Sequence, residues 1–275
     1  MINKMTRYFK LVIRMSLPPI ILTSYYKLFK RDGSKTFKGI YKNFDDIPEI
    51  DISNYDSEQS LINIRNKTFQ TFNNKSEFPK ADDRSQITNL LPLTISLFKK
   101  KEVSILDFGG GAGETFADCA NKINMSGVKF YIYDLDETMN IGKELFSSFE
   151  FKQDSFINFV DDISKIVTID IVYFGSCLQY FPKYKAVIES ILCKKPKYVF
   201  LTDNFFSMGE SYVTVQVNMK DRKMAYQILS IDEILSILTK NNYNLIYKSA
   251  NFQPCHTPSS SDQFNDSLNL LFEKN

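Results

Sequence analysis

The 275-residue sequence contains one histidine and four cysteines, and the scarcity of these residues excludes several kinds of site. Cys119, Cys177, Cys193 and Cys255 form no C-x-x-C pair, whereas a structural zinc site needs about four nitrogen, sulfur or oxygen ligands at recognisable spacing. We therefore expect no metal. No G-x-S-x-G elbow is present, so a Ser-His-Asp hydrolase would depend on His256 alone. Scattered cysteines fit a reducing cytoplasm.

The chain also lacks tryptophan and any large excess of one charge. Its net charge of +2 gives no global basic field of the kind that nucleic-acid binding proteins show, so no nucleic-acid partner is expected. Hydrophobic residues make up 43% and charged residues 24%, which is ordinary for a globular protein and excludes disordered, collagen-like and multi-span membrane classes. The length is that of one or two domains.

The N-terminal segment, residues 1–31, is basic and apolar. Seven basic residues and no acid lie between Lys4 and Arg31, and Arg14 and Pro18-Pro19 interrupt the apolar run. The segment is too broken to span a bilayer, which takes about 20 apolar residues. We predict two short amphipathic helices around the Pro-Pro turn, lying on an anionic membrane surface. The alternative is a helix packed on the domain with solvated lysines.

Residues 32–100 are predicted to form a helical cap or connector. Glycine, proline and acidic residues interrupt the pattern over 32–60, whereas 61–72 and 85–100 have helical patterns. Residues 101–275 form the main predicted domain. Its segment 204–229 contains strand-like residues that have no place in the core sheet, and we predict a lid or acceptor wall there, together with the N-terminal helices.

The main domain alternates apolar strands and amphipathic helices. The predicted strands are 103–108, 128–134, 150–153, 169–174, 197–202, 243–249 and 267–272, and the predicted helices are 113–123, 138–148, 156–165, 183–193 and 231–241. This α/β order predicts a Rossmann-like, seven-stranded, doubly wound sheet with an N-terminal helical extension. The last two strands have no helix between them, which predicts an antiparallel hairpin at the sheet edge.

A glycine-rich loop, Asp107-Phe108-Gly109-Gly110-Gly111-Ala112-Gly113-Glu114, follows the first of these strands. Glycines allow a sharp turn and a close approach of a ligand, and the next helix presents its positive N-terminus to the same place. A phosphate-binding P-loop is excluded because Glu114 stands where lysine is needed. A dinucleotide fingerprint fails because its third glycine position would be Glu114 or Phe116.

The pattern D-x-G-x-G-x-G resembles motif I of the class I S-adenosylmethionine-dependent methyltransferases. The resemblance implies that the loop binds the methionine part of S-adenosylmethionine and that Asp107 helps to fix its ammonium group. It also implies that Asp134, after the second strand, accepts hydrogen bonds from the ribose hydroxyls. The implied cofactor-binding residues are Asp107, Gly109, Gly110, Gly111, Gly113, Asp134, Leu135, Asp154, Ser155 and Ser176.

The order of segments is similar to that of a bacterial methyltransferase family encoded with O-antigen and capsule polysaccharide genes. The matching stretches are Leu17-Pro18-Pro19-Ile20, Ile105 to Gly110, Ser176 to Tyr180, Thr202-Asp203-Asn204 and Val213 to Gln216. The family often has Arg-Thr after the aspartate, where this chain has Asn204-Phe205. The resemblance implies O-methylation of a sugar hydroxyl on a surface glycan or its precursor.

A sugar hydroxyl is a poor nucleophile at neutral pH, so a general base is expected. Asp203 is the first candidate because open α/β sheets bind ligands at the carboxyl ends of their strands. His256 is the second, because histidine has the most suitable intrinsic pKa. The alternatives are a loop-ordering aspartate and an exposed loop histidine. Gln179, Tyr180 and Asn204 are the candidate acceptor-binding residues.

Two other functions remain compatible with the sequence. One is a non-catalytic module that keeps the fold and the cofactor pocket as a binding or scaffolding device. The other is a methyltransferase for another small molecule or for a protein. The expected location is the cytoplasm, at the inner face of the cytoplasmic membrane.

Overall fold

The computed structural model describes residues 35–48, 58–73, 90–148, 156–219, 222–252, 255–256 and 266–275. The strands in these ranges are β1 (Lys35–Tyr41), β2 (Val103–Phe108), β3 (Val128–Tyr133), β4 (Phe156–Phe159), β5 (Ile171–Gly175), β6 (Tyr198–Asn204), β7 (Phe206–Ser207), β8 (Tyr212–Met219), β9 (Arg222–Ser230), β10 (Tyr243–Phe252), β11 (Cys255–His256) and β12 (Asp266–Lys274). The α-helices are α1 (Glu58–Asn73), α2 (Leu90–Leu97), α3 (Glu114–Lys122), α4 (Asp136–Ser147), α5 (Tyr184–Leu192) and α6 (Ile231–Lys240).

The core sheet has seven strands in the order β10-β12-β6-β5-β2-β3-β4. The five strands from β6 to β4 are parallel, whereas β12 runs antiparallel to both β6 and β10. The predicted Rossmann-like doubly wound sheet with an antiparallel edge hairpin is therefore confirmed. The chain proceeds outward from β2 in both directions, so a crevice forms between the carboxyl ends of β2 and β5.

Burial on both faces explains why the central strands are continuously apolar. Every residue of β2 is buried. Helices α5 and α6 cover one face, where Leu106, Phe174 and Ile188 share a cluster. Helices α1 to α4 cover the other face, where the Phe72 and Phe146 rings lie 4.4 Å apart. None of the helices in the described ranges has the length and apolar content to cross a bilayer.

A second, five-stranded sheet has the order β11-β1-β8-β9-β7. The segment that we predicted as a lid, 204–229, supplies β7, β8 and most of β9, and β8 pairs antiparallel with β1. The prediction of a connector over 32–60 missed β1. Its partner β8 lies more than 170 residues further along the chain, and the sequence Lys35–Tyr41, with two lysines and a glycine, is too polar to indicate a strand without that partner.

A partly buried hydrogen-bond network joins the second sheet to the core. Ser211 precedes β8, and its Oγ donates to Glu233 Oε2 of α6 over 2.6 Å. The Ser230 N–H at the end of β9 donates to Ser211 Oγ over 2.8 Å, and Tyr184 of α5 donates to the same Glu233 oxygen. The second sheet is thus fixed to the helices that pack on the core sheet.

One helix prediction was wrong and several lie outside the described residues. Residues 156–159 form β4 and 163–165 form a 3-10 turn, where we predicted a helix over 156–165. β4 is an edge strand whose four residues alternate in exposure. This period-2 pattern is too short to distinguish a strand from a helix in the sequence. The N-terminal segment 1–31, the predicted strand 150–153 and residues 85–89 of a predicted helix are not among the described residues.

Gly142 of α4 provides a test of the packing between this helix and the glycine loop. A Cβ atom there would come within 2.4 Å of the Phe159 ring and 2.9 Å of the Ala112 carbonyl oxygen. We expect Gly142→Ala to lower the melting temperature by about 2–8 °C because of overpacking, although alanine is the better helix former. Asn140→Ala, at an exposed position of the same helix, should cause no loss. A Gly142→Ala melting temperature equal to that of the wild type in a circular dichroism scan would contradict this.

Candidate active site

The carboxyl ends of β2, β5 and β6 lie side by side, and each ends in the left-handed region of backbone conformation. The φ angles are +72° at Gly109, +55° at Ser176 and +55° at Asp203. For a residue with a Cβ atom this conformation costs about 1–2 kcal/mol. Such strain concentrates at functional sites, and here it occurs at the edge of the sheet where this fold binds ligands.

The glycine loop turns tightly over the end of β2. The Gly109 N–H donates to the Tyr133 carbonyl at the end of β3 over 2.7 Å, and Gly113 begins α3 with a φ of +93°. A Cβ atom at Gly110 would fall 2.6 Å from both the Asp107 carboxyl carbon and its Oδ2. Only glycine therefore permits the loop to lie against this carboxyl group.

The Asp107 carboxyl group is buried at the centre of the site, with 1% of the residue exposed. Its Oδ2 atom has no hydrogen-bond partner among the described residues. Burial raises the pKa of Asp107 to about 7, partly offset by a hydrogen bond with Thr115, and the nearby charges of Asp134 and Glu114 raise the pKa further. The site therefore contains a carboxyl oxygen that lacks a donor.

Asp134 follows β3 and lies against the glycine loop. Its Oδ2 accepts from the Gly111 N–H and its Oδ1 from the Leu135 N–H, both over 2.7 Å. Burial raises the pKa of Asp134, and these two backbone hydrogen bonds oppose the shift. Leu135, at the start of α4, has a half-exposed side chain. The carboxylate thus connects the ends of β2 and β3.

Gln179 lies in a 3-10 turn (Leu178–Tyr180) after β5 and is 1% exposed. Its Nε2 donates to the Ser176 carbonyl over 2.6 Å and to Ser176 Oγ over 2.9 Å. Since the amide nitrogen is committed to a carbonyl, its Oε1 atom is the free one, and it has no partner within the described ranges. Cys177 donates its S–H to the Phe108 carbonyl, which joins this turn to β2.

The end of β6 is held from β12. The Asp203 N–H donates to Asn269 Oδ1 over 2.9 Å, and Asn269 Nδ2 donates to Ser249 Oγ of β10 over 3.2 Å. A bulge in the pairing of β12 with β6 places Asn269 beside Asp203. Asn204 donates from Nδ2 to the Thr202 carbonyl over 2.8 Å.

The second sheet forms a wall next to this edge. Tyr180 donates from its hydroxyl to Gln216 Oε1 of β8 over 3.4 Å, and its ring meets the edge of the Tyr226 ring at 5.6 Å. Phe37 of β1 lies 4.7 Å from the same Tyr226 ring. The aromatic contacts close the wall against the 3-10 turn that carries Gln179.

Most of the candidate residues chosen from the sequence meet at one edge of the core sheet. These are Asp107, Gly109, Gly110, Gly111, Gly113, Asp134, Leu135, Ser176, Gln179, Tyr180, Asp203 and Asn204. Asp154 and Ser155 lie outside the described residues. His256 belongs to β11, where its backbone pairs with Thr36, and its side chain is not described.

Sequence reasoning missed Asn269 and Ser249. Asn269 is 3% exposed within the strand sequence Ser267-Leu268-Asn269-Leu270. A polar residue between leucines on a strand expected to be buried was the available signal. Its role could not be predicted because the bulge that brings it to Asp203 is a property of the strand pairing.

No protein-family model and no curated protein matches the chain. Several solved methyltransferase structures are similar to it. A SAM-dependent methyltransferase from Methanosarcina mazei is 14% identical, with 66% of this chain and 96% of that chain covered and a TM-score of 0.49. The magnesium protoporphyrin IX methyltransferase from Synechocystis, with bound SAM, is 14% identical over 81% of this chain and 100% of that chain, with a TM-score of 0.49.

A third similar structure is the 1,6-didemethyltoxoflavin-N1-methyltransferase from Burkholderia thailandensis. It is 13% identical, with 84% of this chain and 93% of that chain covered and a TM-score of 0.46. The second and third proteins are named for different substrates. The strand order of the core sheet, rather than these matches, identifies the fold of the present chain as Rossmann-like.

The raised pKa of Asp107 predicts a stability that depends on pH. The carboxyl group holds its proton more tightly in the folded chain (pKa about 7) than at its ordinary value of 3.8. Stability is therefore lost as pH rises towards 7, by up to about 1.4 kcal/mol per pH unit. Urea denaturation without cofactor, from about pH 5 to pH 8, should show this fall in the free energy of unfolding.

Asp107→Asn is the control for this titration because its side chain is nearly isosteric and neutral at every pH. It should be more stable than the wild type at the alkaline end and differ less at the acidic end. Parallel pH profiles of the two proteins would show that Asp107 does not carry the effect.

Proposed function

We propose that the protein is an S-adenosylmethionine-dependent O-methyltransferase that acts on a sugar hydroxyl of a bacterial surface glycan or its precursor. The observation that best supports this cofactor is the buried Asp107 oxygen without a partner beneath the glycine loop, with Asp134 after the neighbouring strand β3. The choice of a sugar hydroxyl is supported by the sequence resemblance described above.

The residues present fit the amino-acid part of S-adenosylmethionine. An ammonium group supplies both hydrogen-bond donors and a positive charge, which are the two things that the buried Asp107 carboxyl group lacks. The absence of a side chain at Gly110 lets the loop backbone lie directly against the carboxyl group. A phosphate would instead place a negative charge beside Asp107.

Asp134 fits the ribose. An ionised carboxylate has about four acceptor sites, and two of them are used by the Gly111 and Leu135 N–H groups. The remaining sites are available to the two ribose hydroxyls. Because the same carboxylate also orders the loop, ligand binding and loop geometry depend on one side chain.

Bound S-adenosylmethionine supplies an electrophilic methyl group on a sulfonium. Asp203, at the end of β6, accepts the proton from the acceptor hydroxyl as that oxygen is methylated. Asn269 accepts the Asp203 N–H and so holds the Asp203 backbone in its left-handed conformation. The wall built by Tyr180 and the second sheet excludes water and aligns the acceptor.

The location is also proposed. The seven basic residues between Lys4 and Arg31 would attract an anionic membrane surface. Attachment there would bring the enzyme to a lipid-linked glycan at the inner face of the cytoplasmic membrane.

The proposed cofactor site can be tested at Asp134. We expect Asp134→Ala to weaken the binding of S-adenosylhomocysteine by about 10- to 100-fold, because charge-assisted hydrogen bonds to the ribose are lost. Asp134→Asn keeps one oxygen acceptor and should lose less. Glu144→Ala removes an exposed carboxylate at the far end of α4 and should have no effect. Isothermal titration calorimetry measures all four proteins, and equal affinities would contradict the proposed cofactor site.

The proposed general base can be tested at Asp203. Asp203→Asn should lower methyl transfer by about 100-fold or more, the usual contribution of a general base, and leave S-adenosylhomocysteine affinity unchanged. Asparagine tolerates a positive φ, so the backbone is preserved. Transfer of label from radiolabelled cofactor to extracted glycans measures the rate, with Asp232→Asn as an exposed control on α6. Cofactor binding without any transfer by the wild type would instead favour the non-catalytic module.

A further inference from the structure

The amino-acid group of S-adenosylmethionine carries two opposite charges, and Asp107 can pair with only one of them. The carboxylate of this group is bonded to the same carbon atom as the ammonium group, so it must lie close to Asp107 as well. The negative charges of Asp134 and Glu114 raise the pKa of Asp107, and no cation of the described residues opposes them. A further carboxylate is repelled at this place unless a positive charge accompanies it.

Lys67 of α1 supplies a positive charge next to the glycine loop. Its Nζ atom forms an ion pair with Glu114 Oε2, and Glu114 is the first residue of α3, directly after Gly113. Between described residues, this is the one ion pair that the glycine loop makes. The cation therefore comes from a helix that lies outside the Rossmann-like sheet.

The packing of α1 fixes this ion pair at the N-terminal end of α3. One turn further along α1, the Thr71 carbonyl accepts from Asn121 Nδ2 near the end of α3 over 2.7 Å, so the two helices run in the same direction. Phe72 packs edge-on against the Phe146 ring, and a Cβ atom at Gly113 would meet the same ring at 2.8 Å. Helix α1 and the glycine loop therefore rest on one aromatic side chain.

The chemistry of Lys67 suits a second anionic partner. A lysine ammonium group has three N–H donors and can contact two carboxylates at once. The side chain is 41% exposed, so a ligand at the glycine loop can reach it. The other cation of α1, Arg65, pairs instead with Glu144 in the second half of α4, where both side chains are exposed.

We propose that Lys67 binds the carboxylate of the amino-acid group of S-adenosylmethionine while it remains paired with Glu114. The inference rests on the proposed function for the identity of the cofactor and on nothing that concerns the acceptor. Helix α1 thereby becomes part of the cofactor site. In the competing account, Lys67 only neutralises Glu114 and does not contact the ligand.

Two ligands that differ in the amino-acid group test the contact. S-adenosylhomocysteine contains this group and 5′-methylthioadenosine lacks it. We expect Lys67→Gln to weaken the binding of S-adenosylhomocysteine by about 5- to 20-fold in calorimetry, because a charge-assisted hydrogen bond at a partly exposed position is lost. The affinity for 5′-methylthioadenosine should not change. Arg65→Gln, the matched control on the same helix, should bind both ligands as the wild type does.

The competing account is tested in a chain that lacks the Glu114 charge. If Lys67 only neutralises Glu114, Lys67→Gln has no effect on S-adenosylhomocysteine binding once Glu114→Gln is present, because nothing is left to neutralise. We expect instead that Lys67→Gln still weakens this binding by about threefold or more in the Glu114→Gln background.

Three results would overturn the inference. Lys67→Gln might bind S-adenosylhomocysteine as the wild type does, lose affinity for both ligands equally, or lose none in the Glu114→Gln background. Equal loss for both ligands would show that the substitution displaces α1 rather than removes a contact. Failure of the proposed function is distinguishable: a wild-type protein that does not bind S-adenosylhomocysteine lacks the cofactor site, whereas binding without methyl transfer leaves the inference intact.

Discussion

Asp107, the last residue but one of β2, has its carboxyl group buried beneath a loop that only glycine can form, and the geometry of the site follows from that burial. Removing a carboxyl group from water is costly unless it is protonated or paired. Burial raises the pKa of Asp107 to about 7, which shows how strongly the folded chain disfavours the unpaired carboxylate. In the proposed cofactor complex, an ammonium group would offset this cost by pairing with the carboxylate.

The strand ends around Asp107 are joined by hydrogen bonds that leave little freedom. Asp134 connects the glycine loop to β3, Cys177 connects β5 to β2, and Ser176 donates its N–H to the Thr202 carbonyl of β6. Asn269 extends the connection to β12. Each contact uses a backbone group near the carboxyl end of a parallel strand or in the loop that follows it. The hydrogen bonds that satisfy these backbone groups therefore also hold the site residues in place.

The second sheet gives this edge of the core a fixed boundary. It is held to α6 through Ser211 and Glu233, and its Tyr226 ring meets Tyr180 beside the strand ends. The boundary is largely aromatic on the side of Tyr180, whereas the opposite side, along β6, β12 and β10, carries uncharged polar groups.

The sequence by itself determined six of the seven core strands, the glycine loop and the acid after β3, because these depend on local patterns, whereas the short edge strand β4 was predicted as a helix. Continuous apolar runs predict buried parallel strands. Asp107 and the loop glycines lie within one short turn between β2 and α3, so their spacing can be recognised in the sequence alone. The tertiary structure alone decided the rest. β1 acquires its strand conformation from β8, the bulge in β6 brings Asp203 to Asn269, and Ser267 and Asn251 become neighbours only through strand pairing. Such contacts join residues far apart in the chain, and hydrophobic periodicity carries no information about which strands will be neighbours.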